Sequence, residues 1–278
     1  MSELMLQQTQ VDRVVPKYGA WIKAFPSWKR LANASTHTLI THWAGLGYNR
    51  RALYARDAAL DVISHGIPTS EVGWRRLKGV GPYMAAALTE FVNHVRTIVI
   101  DTNVRRVAGR ALLGIRFPER ADDASISRAL RRAIPECNAH WDVPQALMDI
   151  GSAICLSQRP RCDVCPLKNV CRAREQFLPK HLEKTLRHLA RYRARTRVVE
   201  SRHVNKKYPD RMYRGRILAW VRTRGRARIE TLGPNIDETY DPIADLDWIR
   251  AMVQRLMKDG LLMLRPDGSL ALPFEPPQ

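Results

Sequence analysis

Apolar residues recur at helical spacing along the first half of the chain, and Gly and Pro interrupt them at intervals. One apolar stripe predicts a helix that ends at Pro26 and whose apolar face contains Val11, Val14, Val15, Tyr18, Ile22 and Phe25. A second helix is predicted from Leu31 to Trp43, and a third follows "GLGYNRRA" (45–52) and reaches Ile63, where "HGIP" ends it. Few segments alternate with period two, so the pattern indicates a mainly α-helical fold.

The pattern changes near the carboxyl end. Short helices are predicted over 217–221 and 229–236, and a regular apolar stripe over 248–257 predicts a longer one. Alternating apolar residues around Pro-Asp-Gly at 266–268 then predict a β-hairpin. Three helices and a hairpin are typical of a winged helix, which binds duplex DNA through its second or third helix and its wing. A small helical packing module is the other interpretation of 212–278.

Charge changes this picture more than length does. The 278 residues include 46 Lys and Arg against 27 Asp and Glu, a formal charge of +19. Such an excess indicates a polyanionic partner, most often nucleic acid, although a merely adhesive basic protein is an alternative. Residues 179–211 form a basic stretch that we interpret as a linker. With no apolar run long enough for a membrane span and no signal peptide, we expect a cytoplasmic protein that makes no membrane contact.

Four cysteines stand in the pattern C-x6-C-x2-C-x5-C, at Cys155, Cys162, Cys165 and Cys171. In a cytoplasmic protein they are better interpreted as ligands than as disulfides. Zinc is the usual guess for four cysteines, but its common sites pair two C-x2-C knuckles, which this pattern lacks. An iron–sulfur cluster fits the four thiolates as well. The third interpretation is that the four cysteines are reduced and bind nothing. The fifth cysteine, Cys137, lies outside the pattern.

A glycine-rich turn lies in "LKGVGPYMAAAL" (77–88). Gly79 and Gly81 allow a tight backbone turn, and Pro82 suits the first position of the next helix. The segment therefore predicts a helix-hairpin-helix whose turn amides bind a phosphate oxygen without sequence preference. Lys78 lies in the same turn and is interpreted as a phosphate contact.

An aspartate follows the apolar run of "TIVIDTNVRRV" (97–107). Asp101 precedes a predicted helix and suits its N-cap position. A carboxylate at this place can also stabilise a cation, so the structural and the functional interpretation both stand on these residues alone.

Together, the cysteine loop, the hairpin and Asp101 resemble the helix-hairpin-helix DNA glycosylase superfamily. "SELMLQQTQV" (2–11), "WAGLGYNRRA" (43–52), "VIDTNVRRV" (99–107) and "QALMDIGSAIC" (145–155) are more similar to its adenine DNA glycosylase branch than to endonuclease III. The resemblance covers about residues 2–173. It implies a mainly α, two-lobed glycosylase fold over 1–178 with a [4Fe–4S] cluster in loop 155–171. The basic linker at 179–211 and a winged-helix-like α+β domain at 212–278 would follow.

The same resemblance assigns roles to individual residues. Glu3 matches the catalytic acid, and the other active-site positions match Tyr83, Asp101 and Asn103. Contacts to DNA are implied at Gln8 and Tyr48, which enter the base stack, and at Lys78, Gly79, Val80 and Gly81 of the hairpin. A flipped adenine leaves readily once a ring nitrogen is protonated, so Glu3 would donate a proton and Asp101 would stabilise the cationic sugar. Tyr83 replaces the Schiff-base lysine of bifunctional relatives, so a strong lyase step is not expected.

The resemblance therefore implies a monomeric, monofunctional glycosylase that acts on duplex DNA and removes adenine opposite 8-oxoguanine or guanine. The first alternative keeps the fold and removes thymine or uracil opposite guanine, or a modified pyrimidine. The second is a non-catalytic DNA-binding protein. Two departures bear on the choice: residues 212–273 do not resemble the Nudix-like domain that usually reads 8-oxoguanine, and family members have more residues before the glutamate. We therefore expect either an upstream translation start or a poorly held Glu3.

Overall fold

The chain is mainly helical, as its hydrophobic pattern predicts. The structure is a computed structural model that describes residues 1–134, 142–178, 183, 187 and 200–273. It divides into two compact units, each built from separate stretches of chain: Met1–Pro68, Arg76–Gly79 and Val199–Gln278 in the first, Thr69–Arg75 and Val80–Val198 in the second. Across the described ranges, no helix combines the length and the apolar character that a bilayer crossing requires.

The first unit begins with five helices around a core that contains two tryptophans. The helices are α1 (Ser2–Leu6), α2 (Val11–Ala24), α3 (Trp28–Ala32), α4 (Thr36–Trp43) and α5 (Arg50–His65). The rings of Trp21 and Trp43 meet edge to face at 5.3 Å, and both side chains are almost fully buried. The end of α5 is confirmed where the sequence predicts it, because Gly66 follows with φ of 82°.

The apolar face predicted for α2 is mostly not the face that the core covers. Of its six residues only Val14 and Phe25 are buried, and they share the core-facing stripe with Trp21. Val11 and Val15 are more than 60% exposed. At 100° per residue, positions 14, 21 and 25 form one stripe, and the remaining apolar residues form an adjacent one. Periodicity identified the helix but could not say which of two neighbouring stripes faces the core.

The prediction of a single helix from Leu31 to Trp43 is wrong, because this segment contains parts of two separate helices, α3 and α4. The hydroxyl of Ser35 accepts a hydrogen bond from the amide of Thr38 at 3.1 Å and starts α4 anew. A serine at this position is a strong N-cap, and its preference for extended backbone breaks the preceding helix.

The carboxyl-terminal part of the first unit contains three helices and a hairpin in the predicted order. They are α11 (Asp210–Arg224), α12 (Ile229–Ile236), α13 (Leu246–Lys258), β1 (Met263–Leu264) and β2 (Leu270–Ala271). The first of these helices is longer than the sequence pattern indicates. The antiparallel strands pair Met263 with Ala271, and Asp267 fixes the turn by accepting a hydrogen bond from the amide of Ser269 at 2.9 Å.

This carboxyl-terminal part packs directly on the amino-terminal helices. Arg50 Nη1 lies 3.3 Å from Asp259 Oδ1, and the amide of His37 donates to the carbonyl of Pro273 at 2.9 Å. The predicted linker and domain boundaries fall partly on residues 179–199, which lie almost entirely outside the described ones, so that three-part division stays a prediction.

The described part of the second unit contains helices and loops and no strand. Its helices are α6 (Glu71–Arg75), α7 (Pro82–Phe91), α8 (Thr102–Leu113), α9 (Asp123–Ala133) and α10 (Asp142–Ala153), with short 3-10 turns at Arg120–Asp122 and Arg174–Phe177. Val104 and Ala108 of α8 pack on Ile126 and Leu130 of α9 in an apolar cluster that Leu147 and Met148 of α10 extend. This packing fixes α8, which carries the candidate chemistry.

A buried lysine joins the segments of the carboxyl-terminal part. Lys206 Nζ lies 2.7 Å from Asp237 Oδ2 and 2.5 Å from Asp245 Oδ2, and it donates to the carbonyl of Thr239 at 3.1 Å. Burial opposes the charge of Lys206, but the hydrogen bonds and the attraction of the two carboxylates outweigh it and raise its pKa above the usual value. Burial likewise opposes the charge of Asp237, yet Lys206 and Thr239 hold its pKa below the usual value.

Replacing this lysine should destabilise the protein strongly. We expect Lys206→Met to lower the free energy of unfolding by about 3–5 kcal/mol near pH 7, because two buried carboxylates lose their counter-charge. The loss should shrink as the pH falls below about 4, the unfolded pKa of an aspartate, because the lowered pKa of Asp237 stabilises the fold fully only above that value. Denaturant unfolding at several pH values measures this. The exposed neighbour provides the control, and an equal effect of Lys207→Met would contradict the assignment.

Candidate active site

The candidate acid lies on a short helix that a buried arginine holds. Glu3 is half-buried in the first turn of α1. The guanidinium of Arg51, on α5, donates through Nη1 to the carbonyls of Leu4 at 2.8 Å, Met5 at 3.1 Å and Gln7 at 2.6 Å. Carbonyls at the end of a helix have no partner within it, and a buried cation satisfies them here. Arg51 thereby fixes the helix that carries Glu3.

The same guanidinium holds the glycine-rich loop before α5. Its Nη2 donates to the carbonyls of Leu46 and Gly47, both at 3.1 Å, and the indole of Trp43 donates to the Gly47 carbonyl at 3.0 Å. Burial lowers the pKa of Arg51 from its usual value, and the nearby Tyr48 partly offsets this. One side chain therefore connects α1 to the loop that presents Tyr48.

The two residues expected to enter a base stack share an unusual backbone. Gln8 and Tyr48 have positive φ angles, 54° and 47°, which residues with a side chain adopt rarely. Both side chains are exposed, and the Tyr48 ring lies 5.4 Å from the Arg51 guanidinium carbon. Such backbone strain persists where the surrounding contacts impose it, and Arg51 supplies those contacts on both sides.

The turn of the predicted hairpin has the expected glycine geometry. Gly79 has φ of 80°, and a Cβ there would lie 2.5 Å from the Tyr54 ring, so only glycine fits. Gly81 precedes α7 as its N-cap, with Pro82 at the first position. Lys78 is 71% exposed but already lies 3.1 Å from Asp57, so a phosphate would compete with that carboxylate.

Within the second unit, the indole of Trp74 on α6 donates to Oδ1 of Asn93, two residues beyond the end of α7, at 2.7 Å. Tyr83 lies half-buried in the first turn of α7 and packs against the Ala86–Ala87–Val99 cluster. Val80, the remaining hairpin position, is also half-buried. These residues occupy the element on which the sequence places them.

Asp101 caps α8, as its sequence position predicts. Oδ1 accepts a hydrogen bond from the amide of Val104 at 2.6 Å, and Oδ2 accepts one from Asn103 Nδ2 at 2.9 Å. Both carboxylate oxygens are therefore held by donors of the same helix turn. A carboxylate ordered in this way keeps its orientation while charge develops beside it, which is the requirement for electrostatic stabilisation.

A chain of hydrogen bonds leads from this carboxylate to the cysteine loop. Arg106 Nη2 donates to Asn103 Oδ1 at 2.8 Å and to the Gly151 carbonyl at 2.6 Å, and its Nε donates to the Cys155 carbonyl at 2.6 Å. Burial lowers the pKa of Arg106, and Cys155 and Asp101 oppose that effect. A Cβ on Gly151 would lie 2.5 Å from Asn103 Cβ, so α10 approaches α8 closely only with glycine there.

The four cysteines of the loop are free and partly buried. Arg110 orders the start of the loop: it donates to the carbonyls of Leu156 and Ser157, both at 2.9 Å, and its Nη1 lies 3.4 Å from Cys155 Sγ. Burial raises the pKa of the Cys162 thiol, and the other three cysteines raise it further. Burial also raises the pKa of Cys171. The four sulfurs thus lie near enough to affect one another.

No group of three or more His, Cys, Asp or Glu side chains within the described ranges converges to hold a single metal ion. A four-iron cluster differs from an ion, because its thiolates bind four separate corners and need not meet at one point. The donor chemistry of the loop, four cysteine thiols, fits such a cluster. Cys137 lies outside the described residues.

The candidate residues divide between the two units. The first unit holds Glu3, Gln8, Tyr48, Lys78 and Gly79, and the second holds Val80, Gly81, Tyr83, Asp101, Asn103 and the four cysteines. Sequence reasoning missed the three arginines that order these groups: Arg51, Arg106 and Arg110. Their signal is an arginine at a buried or half-buried position of an amphipathic helix, but the sequence does not reveal the carbonyls they bind.

Comparison with known proteins decides the family. Residues 1–135 match the HhH-GPD superfamily of base excision DNA repair proteins. The chain is 30% identical to the adenine DNA glycosylase of Mycolicibacterium smegmatis over 289 residues, which cover 99% of this chain and 87% of that protein. The chain is an adenine DNA glycosylase family member. The match extends through the carboxyl-terminal part, so this region also belongs to the relationship.

Solved structures agree with the fold of this adenine DNA glycosylase family member. A thermostable thymine-DNA glycosylase superposes with a TM-score of 0.57 at 22% identity, over 63% of this chain and 82% of that one. A trapped endonuclease III–DNA covalent intermediate superposes with a TM-score of 0.55 at 20% identity, with the same coverage. At these identities the likeness establishes the helix-hairpin-helix glycosylase fold alone.

Removing the central arginine tests its role in positioning. We expect Arg51→Met to lower the free energy of unfolding by about 2–4 kcal/mol, since charged hydrogen bonds to buried carbonyls contribute about 1.5–3 kcal/mol each and part of this is recovered by water. Amide hydrogen exchange should quicken over residues 4–9 and 44–48. The neighbouring Arg50→Met, which removes an exposed ion pair, should change neither measurement much. Unchanged exchange in Arg51→Met would refute the role.

Proposed function

We propose that this protein removes adenine from mispairs with 8-oxoguanine or guanine by hydrolysing the N-glycosidic bond. The observation that carries the proposal is the near full-length relationship to an adenine DNA glycosylase. The ordered Asp101 carboxylate at the start of α8 supports it, because it is held by Val104 and Asn103 in the way a cation-stabilising group requires. The family assignment makes the protein an enzyme of base excision repair, and we expect it to act as a monomer on duplex DNA in the cytoplasm.

In this proposal, Glu3 acts on the base and Asp101 acts on the sugar. The Glu3 carboxyl donates its proton to a ring nitrogen of the flipped adenine, and the bond between that base and C1′ breaks with its electrons moving onto the base. The sugar is left with oxocarbenium-like charge, which Asp101 stabilises. Water adds to C1′ and returns a proton to Glu3, so the acid is regenerated and no external reactant besides water is consumed.

Asn103 and Tyr83 have supporting roles. Asn103 donates to Asp101 Oδ2 at 2.9 Å and thereby limits rotation of the carboxylate. Tyr83 stands where bifunctional relatives carry a lysine, so the expected product is an abasic site without strand cleavage.

For DNA recognition, we infer that Tyr48 and Gln8 enter the base stack from opposite sides and that the hairpin at Gly79, Val80 and Gly81 binds a phosphate through backbone amides. Exposure of Tyr48 and Gln8 and the tight turn at Gly79 support this. Lys78 would leave Asp57 to contact the same backbone. The three helices and the hairpin of the carboxyl-terminal part are consistent with a winged-helix-like domain.

For the cofactor, we propose that Cys155, Cys162, Cys165 and Cys171 bind a [4Fe–4S] cluster. The cluster would supply four corner irons that cross-link the loop, and Arg110 would hold the start of that loop through its carbonyls. A structural cluster of this kind would stabilise the loop beside α8 without taking part in hydrolysis.

The two carboxylates test the proposed chemistry. Glu3→Gln should abolish adenine release from an adenine–8-oxoguanine duplex, because it removes the proton donor and keeps the shape. Asp101→Asn should slow release by roughly a thousandfold, about 4 kcal/mol, because the charge is lost while the amide can still cap α8. Single-turnover cleavage followed by alkali measures both. The control Asp12→Asn, in the exposed first turn of α2, should cut at the wild-type rate. Wild-type rates in Asp101→Asn would make that residue only a cap.

The cluster assignment has its own test. The purified protein should contain about four irons and four sulfides per chain and absorb broadly in the visible range. Cys162→Ser should lose the iron and weaken binding to duplex DNA. Cys137→Ser, which alters a cysteine outside the motif, should keep it. Stoichiometric zinc without iron would contradict the assignment.

A further inference from the structure

A groove lined by arginines runs beside Tyr48 within the first unit. It has a volume of about 1130 Å³ and lies between residues 7–10, the loop 44–51 and one face of α11. Eight arginines and three carboxylates line it, and no lysine does. We call it the arginine groove. Its charge is strongly positive, and its wall includes both Tyr48 and Gln8.

Five of the eight arginines are engaged within the protein. Arg50 and Arg255 share Asp259, and Arg211 pairs with Glu200 at 2.9 Å. Arg51 and Arg216 donate to backbone carbonyls, the latter to Ile236 at 2.7 Å. These five therefore shape the groove and neutralise all but one of its carboxylates.

The remaining three arginines form no ion pair of this kind in the described part of the chain. Within the described residues, no carboxylate lies within 4.0 Å of Arg13, Arg214 or Arg222, although Asp210 acts on Arg214 from further away. Arg214 and Arg222 are eight residues apart on α11, about 12 Å along its axis, so they can reach different phosphates of one strand. Guanidinium groups suit phosphate because they donate in a fork.

The backbone of α11 is also open to the groove. Gly215 lies on the lined face between the two arginines, and a Cβ built there would meet no atom within 4 Å. A strand can thus approach the helix closely at this point. The Tyr48 ring marks one side of the same space, since Arg211 lies 5.8 Å from it.

We propose that the arginine groove binds the phosphodiester backbone of the DNA duplex whose base stack Tyr48 and Gln8 enter. Arg13, Arg214 and Arg222 contact the phosphates, so the first helix of the carboxyl-terminal part forms part of the DNA interface. This differs from the winged-helix expectation, which places the contact on a later helix and the wing. The inference rests on the proposed function for the placing of Tyr48 and Gln8 in the stack.

A pair of glutamate substitutions provides the sharpest test. Gly215→Glu puts a negative charge into the groove, and Gly19→Glu puts the same charge on α2, outside it; neither new Cβ meets an atom within 4 Å. We expect Gly215→Glu to weaken binding of an undamaged duplex by about tenfold, since like charges at an interface repel strongly. Gly19→Glu should bind nearly as wild type. Fluorescence anisotropy measures both, and equal affinities of the two variants would overturn the proposal.

Neutralising the two arginines tests their binding to phosphate directly. Arg214→Gln with Arg222→Gln should lower the slope of log Kd against log salt by roughly 2, because each substitution removes one cation from a phosphate. Arg224→Gln with Arg228→Gln removes the same charge outside the groove and should leave the slope nearly unchanged. Arg214→Lys with Arg222→Lys keeps both charges and should keep the wild-type slope. An unchanged slope in the glutamine pair, or an equal fall in the control pair, would refute the role of these two arginines.

The phosphates that the groove contacts can be identified by replacing single phosphates of the duplex, one at a time, with neutral methylphosphonates. Wild type should bind more weakly when the replaced phosphate belongs to a short run on one strand. The same replacements should not weaken binding of the Arg214→Gln, Arg222→Gln variant any further. Additive effects would contradict the proposal. Because the duplex is undamaged, binding is independent of excision. A wild type that binds in this way but releases no adenine would contradict only the proposed function, whereas adenine release with an unaffected Gly215→Glu variant would contradict only the groove.

Discussion

The candidate site of the first unit depends on one buried guanidinium. Arg51 donates to carbonyls of two irregular segments, the end of α1 and the loop before α5. These carbonyls lie in the last turn of α1, just after it or in the loop, and a buried carbonyl without a donor is costly. The arginine satisfies both segments at once, so the acid helix and the loop of Tyr48 are ordered together.

The second unit uses the same device around the cysteine loop. Arg106 and Arg110 lie one turn apart on α8 and donate to carbonyls of residues 151–157. The helix that begins with Asp101 thus also carries the donors that shape the loop. Planar guanidinium groups can bind two or three carbonyls in fixed directions, which the more compact ammonium of lysine cannot do as well. In the described part of both units, helix-borne arginines thus hold segments of irregular backbone.

Local signals predicted much of this from the sequence, and long-range ones did not. The N-cap at Asp101, the glycine turn at Gly79 and the end of α5 depend on neighbouring residues and were predicted correctly. The buried face of α2 depends on which other helices cover it, and the break at Ser35 on the competition between a cap and a continuous helix. The carbonyls of Leu4, Met5 and Gln7, which Arg51 also binds, are more than forty residues away along the chain, so spacing alone could not identify them.

The positive φ angles at Gln8 and Tyr48 affect how substitutions there should be understood. Alanine has a Cβ and therefore meets a backbone penalty at positive φ, so it removes the rest of the side chain and leaves that penalty in place. Glycine removes both, because it adopts this conformation without steric cost. A comparison of the alanine and glycine variants at each position therefore separates two quantities. One is the contribution of the ring or the amide, and the other is the free-energy cost of the backbone conformation. Valine and isoleucine, stiff at Cβ, would report mainly on the backbone.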